Sequence, residues 1–88
     1  MKTYEEAKSE YKQLRKEIDD NTEYYEVSIN DLRDNENITP YQFRQREQEI
    51  SARYRRVDKS IRERMKALEK EIGTATLERI REEYRNER

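Results

Sequence analysis

Apolar side chains recur along the first part of the chain with the spacing of a helical heptad. The steps between them are three, four, three and four residues, followed by two steps of seven. This spacing keeps the side chains on one narrow face of an α-helix, as in a coiled-coil seam. The pattern predicts a helix over residues 3–33. The stripe consists of Tyr4, Ala7, Tyr11, Leu14, Ile18, Tyr25 and Leu32.

A second stripe with the same periodicity follows in the second half of the chain. Its steps are seven, four, three, four and seven residues. The pattern predicts a helix over residues 40–72, with a length close to that of the first. The stripe consists of Phe43, Ile50, Tyr54, Val57, Ile61 and Leu68.

The polar segment 34–39 between the stripes predicts a turn. Thr39 is expected to be the N-cap of the second helix, and Pro40 suits the first helical position because its missing N–H is not needed there. Gln42 completes the spacing of a capping box.

Two matched helices joined by a short turn predict an antiparallel hairpin. A turn centred near Asn37 places Asn21 opposite Tyr54, and Tyr11 opposite Arg64, where we expect a cation–π contact. The same register pairs Leu32 with Phe43, Tyr25 with Ile50, Ile18 with Val57, Leu14 with Ile61, and Ala7 with Leu68.

Gly73 predicts the end of the second helix. A short third helix is expected over residues 75–86, with Thr74 or Thr76 as its cap, because the apolar phase shifts after Gly73. A helix continuing through Gly73, at a cost of about 1 kcal/mol, is the alternative. The predicted fold class is therefore all-α: an antiparallel two-helix coiled-coil hairpin with a short C-terminal third helix, dimerising into a helical bundle. The apolar residues of the third helix are Leu77, Ile80 and Tyr84.

Composition adds a reason to expect association. Charged residues make up 47% of the 88 residues and hydrophobic ones 31%, against roughly 25% and 45–50% in ordinary domains. A single domain so short and so poor in apolar residues can hardly bury a large core alone. We therefore expect a homo-oligomer or a protein partner.

Several kinds of chemistry find no support in the sequence. The chain has no cysteine and no histidine, so it lacks disulfides, thiolate chemistry and the usual zinc ligands and general base. We expect no cofactor, no metal and no enzymatic activity. No apolar run approaches the ~18 residues of a membrane span and no secretory signal opens the chain, so we expect no membrane contact and a cytoplasmic location.

Five of the apolar residues outside the two stripes form a candidate partner-binding surface. They could make a dimer interface or a docking face for a different protein. Alternatively, the third helix covers them, or they are scattered exposures. These residues are Tyr24, Val27, Ile29, Met65 and Ile72.

Charge is segregated between the two predicted helices. Residues 1–39 carry six basic and eleven acidic side chains, whereas residues 40–66 carry nine basic and four acidic ones. Exposed ion pairs are individually weak, at about 0–1 kcal/mol. Their arrangement still helps to select the orientation and register of paired helices.

Basic side chains on the second helix form a candidate basic stripe, with steps of four, three and four residues. Such a stripe could neutralise nucleic-acid phosphates. Alternatively, these side chains pair with acidic residues of the first helix or of a second chain. The basic stripe consists of Arg55, Lys59, Arg62 and Lys66.

Acidic side chains crowd the first helix, and Glu10, Glu17 and Asp20 represent a candidate acidic face. A small inhibitor could use this face to mimic nucleic acid and block a basic groove of a host enzyme. The alternative is an ordinary solvated helix face.

The segment that opens the second helix, ITPYQF at residues 38–43, resembles helix openings in small phage and mobile-element proteins. This resemblance implies a phage or mobile-element origin and assigns no site residue. The leading interpretation is a non-enzymatic protein–protein interaction protein, either a scaffold, an assembly factor or an adaptor. The alternatives are an inhibitor of a host enzyme and a nucleic-acid-binding module that uses the basic stripe.

Overall fold

A computed structural model describes residues 2–87 and contains three helices. They are α1 (Tyr4–Arg33), α2 (Pro40–Ile72) and α3 (Thr74–Asn86), and the described residues include no strand. The molecule is elongated, at 53 × 24 × 16 Å. The all-α hairpin with a short third helix is confirmed.

Hydroxyl side chains cap the two long helices. The Thr3 hydroxyl accepts a hydrogen bond of 3.1 Å from the Glu6 N–H at the start of α1. At the start of α2, the Thr39 hydroxyl accepts from the Gln42 N–H, and the Gln42 side chain accepts from the Thr39 N–H, each at 3.2 Å. Pro40 is the first residue of α2, so each long helix begins with its free N–H groups partly satisfied.

Gly73 is the sharp break between α2 and α3. Its φ of 89° and ψ of 153° lie in a region that is essentially restricted to glycine. The third helix begins at Thr74, one residue earlier than expected, and neither Thr74 nor Thr76 caps it. Gly73 itself occupies the cap position, and the Thr74 hydroxyl instead lies 3.5 Å from a carboxylate oxygen of Glu69.

Cross-helix contacts show that α1 and α2 are antiparallel. The Asn21 amide donates a hydrogen bond of 3.1 Å to the Tyr54 carbonyl, which is the juxtaposition predicted from the sequence. Near the ends of the hairpin, Lys2 binds Glu71 at 2.9 Å. Residues near the start of α1 therefore meet residues near the end of α2.

The third helix folds back along the start of α1 and runs parallel to it. The Tyr4 hydroxyl donates to Glu83 at 2.6 Å, Lys8 binds Glu83 and Glu87 at 3.3 and 2.8 Å, and Lys12 binds Glu87 at 2.9 Å. The two carboxylates raise the pKa of Lys8 to about 12 through hydrogen bonds, with Glu87 the larger contributor. In these contacts the residue numbers increase in the same direction along α1 and α3, so the two helices are parallel.

The core lies where all three helices meet. We call this half the base; it comprises residues 4–18 of α1, 57–72 of α2, and α3. The remaining half, residues 19–56, is the arm and contains only α1, α2 and their turn. The core cluster of the base consists of Ala7, Tyr11, Leu14, Ile61, Leu68, Leu77 and Ile80.

One predicted contact in the base is wrong. Tyr11 does not stack with Arg64; its ring packs edge-on against Tyr84, with centroids 5.6 Å apart. Arg64 instead donates two hydrogen bonds, of 2.8 and 2.6 Å, to the carboxylate of Glu17. The reason is that α3 supplies an aromatic partner for Tyr11, and a bidentate carboxylate is a stronger partner for a guanidinium than a ring.

Candidate functional site

A groove of about 410 Å³ runs between α1 and α2 in the arm. We call it the arm groove. Its walls come from both helices, and it opens to solvent along its length. The lining residues are Thr22, Tyr25, Glu26, Ser51, Tyr54 and Arg55.

The arm groove lies on the face of α1 that α3 covers in the base. Tyr25 follows Tyr11 by 14 residues, and Thr22 follows Arg15 by seven. Multiples of seven keep side chains on one face of a coiled-coil helix. Since Tyr11 and Arg15 both contact Tyr84 of α3, the groove walls on α1 continue the α3-binding face.

The same relation holds on α2. Tyr54 precedes Ile61 of the core cluster by seven residues, and Ser51 precedes Met65 by 14. Met65 packs against the cluster that α3 completes. The face of the hairpin that bears the arm groove therefore continues into the base, and α3 covers this face only in the base.

Two tyrosines form an apolar floor for the arm groove. The rings of Tyr25 and Tyr54 are half-buried and contact each other, with centroids 5.0 Å apart and planes inclined by 50°. Beneath them, buried Asn21 bonds to the Tyr54 carbonyl and holds α1 and α2 in register. Paired aromatic rings of this kind offer a large contact area at little conformational cost.

The rims of the arm groove carry opposite charges. Glu26 stands on the α1 rim and Arg55 on the α2 rim, and both are exposed. Within residues 2–87, neither forms an ion pair. A ligand that carries basic groups toward α1 and acidic groups toward α2 would match both rims.

Sequence reasoning placed Tyr25 and Tyr54 in the seam and Arg55 in the basic stripe, but it did not single out Thr22 or Ser51. The signal that could have found them is length. The predicted third helix is less than half as long as the hairpin, so it cannot cover the whole groove.

Three of the five off-stripe apolar residues are taken up by the interior. Ile29 is 6% exposed and lies within the arm. Met65 and Ile72 pack against the core cluster of the base, where α3 lies. The structure thus separates the five residues between base and arm, and it does not assemble them into one surface.

Tyr24 and Val27 remain on the outside of the arm. The guanidinium of Arg53 lies 4.0 Å from the centre of the Tyr24 ring, and its hydrogen bond holds the pKa of the Tyr24 hydroxyl below the ordinary value. Val27 is 51% exposed. A role for these two residues in binding stays a prediction.

The basic stripe lies along the exposed surface of α2, and all four of its residues are exposed. Arg62 binds Asp58 one turn earlier at 2.9 Å. Arg55, Lys59 and Lys66 form no ion pair with any part of the chain that the structure describes. Their charges are therefore available to an external partner.

The acidic face is partly neutralised within the chain. Glu10 binds Lys2 at 2.7 Å, and Glu17 binds Arg64 through both oxygens. The Arg64 hydrogen bond holds the pKa of Glu17 below its ordinary range. Asp20 is exposed, so the three residues differ in what they offer a partner.

No protein-family model matches this sequence, and no curated protein or solved structure matches it. Over residues 2–87 there is no cluster of side chains suited to a metal ion. None of the three helices has the length and apolar character needed to cross a membrane. The candidate functional site is the arm groove, with its paired tyrosine rings and oppositely charged rims.

Proposed function

We propose that the chain is a non-enzymatic protein–protein interaction protein that binds an amphipathic helix of a partner protein in the arm groove. It would serve as a scaffold, an assembly factor or an adaptor. The observation that carries this proposal is that α3 covers the face of the hairpin that bears the arm groove only in the base. A helix lying in an apolar groove is a common recognition mode, and this fold already uses it within its own chain.

The docked α3 indicates what a partner helix needs. Its buried residues Leu77 and Ile80 are spaced i and i+3, and Tyr84, a further four residues on, packs against the core cluster. In the base, acidic side chains of α3 meet lysines of α1. In the arm groove the α1 rim is acidic, so a partner helix needs the same apolar spacing with basic residues on that flank.

Charge favours a different protein over a second copy as the occupant of the arm groove. In a dimer whose arm grooves face each other with the arms antiparallel, α1 would lie against α1 and α2 against α2. The like charges of the two α1 rims, and of the two α2 rims, would then meet. Parallel arms would bring the two α3 helices into collision. Self-association, which the composition predicts, would therefore use the outer side of the arm, near Val27.

The proposal is tested with two serine variants of α2. Ser51 lies in the groove, and Ser60 is exposed on the opposite side, nine residues or two and a half turns later. Tagged wild-type chain, Ser51→Arg and Ser60→Arg are used for affinity purification from the organism that encodes the chain, followed by mass spectrometry. We expect one protein to be recovered with the wild type and Ser60→Arg and lost with Ser51→Arg. Equal recovery with both variants would exclude the groove.

A nucleic-acid-binding module is a second candidate, favoured by the unpaired charges of Arg55, Lys59 and Lys66. Binding of a DNA duplex, followed by fluorescence anisotropy, would then weaken steeply between about 50 and 200 mM salt. Lys59→Glu and Lys66→Glu would abolish it without touching the arm groove. If these two variants still bind the protein partner, nucleic-acid binding by the basic stripe and helix binding in the arm groove are independent functions.

An inhibitor of a host enzyme remains a further proposal. It is less well supported because Glu10 and Glu17 are neutralised within the chain. Reversal of Asp20 to Lys is its direct test, since that charge is exposed. A phage or mobile-element origin and a cytoplasmic location stay predictions.

A further inference from the structure

A second concave site lies in the base, where α3 meets α1. It is a cavity of about 190 Å³ lined by three arginines and two tyrosines. We call it the arginine pocket. Tyr11 and Tyr84, in edge-on contact, form its aromatic wall. The arginines are Arg15 of α1 and Arg81 and Arg85 of α3.

The arginines of this pocket differ from the nearby lysines in their ion pairing, although Glu78 and Glu82 line a neighbouring surface pocket with Arg81 and Arg85. Lys8 and Lys12, also at the junction of α1 and α3, both bind Glu87. Arg15, Arg81 and Arg85 form no ion pair with residues 2–87. Three unpaired guanidinium groups around one cavity repel each other, and an anion placed between them would relieve that repulsion.

Arg15 supplies an independent observation. Its Nε atom is buried and has no hydrogen-bond acceptor, and its guanidinium carbon lies 5.7 Å from the centre of the Tyr84 ring. A buried donor without a partner is rare and costly in a folded protein. The Nε donor of Arg15 is thus withdrawn from water without a hydrogen-bond acceptor beside it.

We propose that the arginine pocket binds an oxyanion of the phosphate class, either free or as the terminal group of a small phosphorylated molecule. Guanidinium groups present planar pairs of donors that match the oxygens of such a group. Three cations favour a doubly charged anion over a single carboxylate. The tyrosine wall limits access of water on one side, which strengthens the charge interactions.

This site is separate from the arm groove and does not depend on the proposed partner helix. Its ligand would bridge α1 and α3, because the arginines come from both helices. Binding would therefore stabilise the docked position of α3. Loss of partner binding on Ser51→Arg and loss of anion binding on an arginine variant would be independent results.

The first experiment titrates the wild-type chain with inorganic phosphate and follows backbone amide NMR signals. The ionic strength is held at about 0.15 M with chloride, where the Debye length is about 8 Å and distant charges are screened. We expect saturable shifts confined to the pocket residues and α3. We also expect phosphate to raise the unfolding temperature more than chloride at equal ionic strength.

Arginine variants distinguish a specific anion-binding site from nonspecific electrostatic attraction. Arg81→Gln and Arg85→Gln are expected to weaken phosphate binding at least about tenfold each, as for the loss of a charge-assisted contact. The matched control is Arg56→Gln, an exposed arginine of the arm, which should leave the affinity unchanged. Arg81 and Arg85 are exposed, so these changes preserve the core, as helix content by circular dichroism would verify.

Two outcomes would overturn the proposal: shifts that grow linearly without saturation, or equal weakening by the Arg56 and Arg81 variants. A parallel titration with phenyl phosphate identifies the source of the anion. Tighter binding than inorganic phosphate would indicate an organic phosphate monoester that contacts Tyr11 and Tyr84. Equal affinity would indicate that the pocket recognises the phosphate group alone, and in both cases Arg81→Gln must weaken binding.

Discussion

At the scale of single residues, Asn21 sets the alignment of the arm. It is 7% exposed and bonds to the Tyr54 carbonyl across the seam. A single polar residue in a heptad seam fixes the register of two helices at some cost in stability. Because the hydrogen bond is satisfied only when Asn21 faces Tyr54, sliding α2 by one turn would leave the amide buried without a partner.

Replacement of Asn21 by leucine is therefore expected to stabilise the chain. Burial of the leucine side chain contributes about 2 kcal/mol, and the lost hydrogen bond costs about 1 kcal/mol. The net gain of about 1 kcal/mol should raise the unfolding temperature by roughly 4–8 °C. Thermal unfolding followed by circular dichroism measures this change. A lower unfolding temperature for the variant would mean that the Asn21 amide stabilises the folded chain in addition to setting the register.

The Glu17–Arg64 pair gives a prediction about pH. The pKa of Glu17 is lowered in the folded chain by its hydrogen bond from Arg64. Its stabilising effect is thus present above the unfolded pKa of about 4.3 and is lost as the pH falls through the folded value. Both side chains are partly exposed, so the effect stays below about 1 kcal/mol.

Glu17→Gln should therefore lower the unfolding temperature near pH 7, and the difference from the wild type should disappear as the pH falls through the lowered pKa of Glu17 in the folded chain. Thermal unfolding at several pH values measures the difference from the wild type. Glu63→Gln, at an exposed position that forms no ion pair with a described residue, serves as the control. A difference that persists in acid would show that Glu17 acts through packing and not through its charge.

Single-residue contacts were predictable where they depend on neighbours in sequence or on the hairpin register. The Thr39 cap follows from Thr39, Pro40 and Gln42, which lie within four residues, and the Asn21–Tyr54 contact follows from the position of the turn. The prediction of a Tyr11–Arg64 contact was wrong because it did not take α3 into account. No local sequence pattern specifies the path of α3. The arginine pocket was missed for the same reason, since Arg15 and Arg81 meet only after α3 docks.

At the scale of elements, the course of α3 depends on Gly73. Its positive φ reverses the chain within one residue, so α3 returns along α1 and does not extend α2. The sequence indicated the break through the phase shift at Leu77. It did not indicate which side of the hairpin α3 would cover. The arm groove lies on that same side, so its position was not predictable either.

Gly73→Ala is expected to destabilise the docked α3 by about 1–3 kcal/mol, because a Cβ disfavours this backbone conformation. The cost would come from the backbone alone, since an added Cβ would meet no atom within 4 Å. Continuation of α2 into α3 would make a longer rod. Small-angle scattering would then show a larger maximum dimension for Gly73→Ala than for the wild type, whereas unchanged shape and stability would contradict the assignment.

At the scale of the whole molecule, the base and the arm differ in how much they bury. The largest fully buried side chains all lie in the base, and they come from all three helices. The arm buries Asn21, Ile29 and Leu32, and its α2 residues are at most half-buried. Since local stability follows buried apolar contact, the arm should open more readily than the base.

Amide hydrogen exchange measured by NMR should resolve this difference along continuous helices. Within α1, we expect residues 4–18 to exchange more slowly than residues 19–33, and within α2, residues 57–72 more slowly than residues 40–56. A partner helix in the arm groove would supply the layer that α3 supplies in the base, so its binding should slow exchange in the arm selectively. Uniform exchange along α1 in the free chain would mean that the hairpin opens as one unit. The arm would then be as rigid as the base, and the groove would be preformed without any help from its occupant.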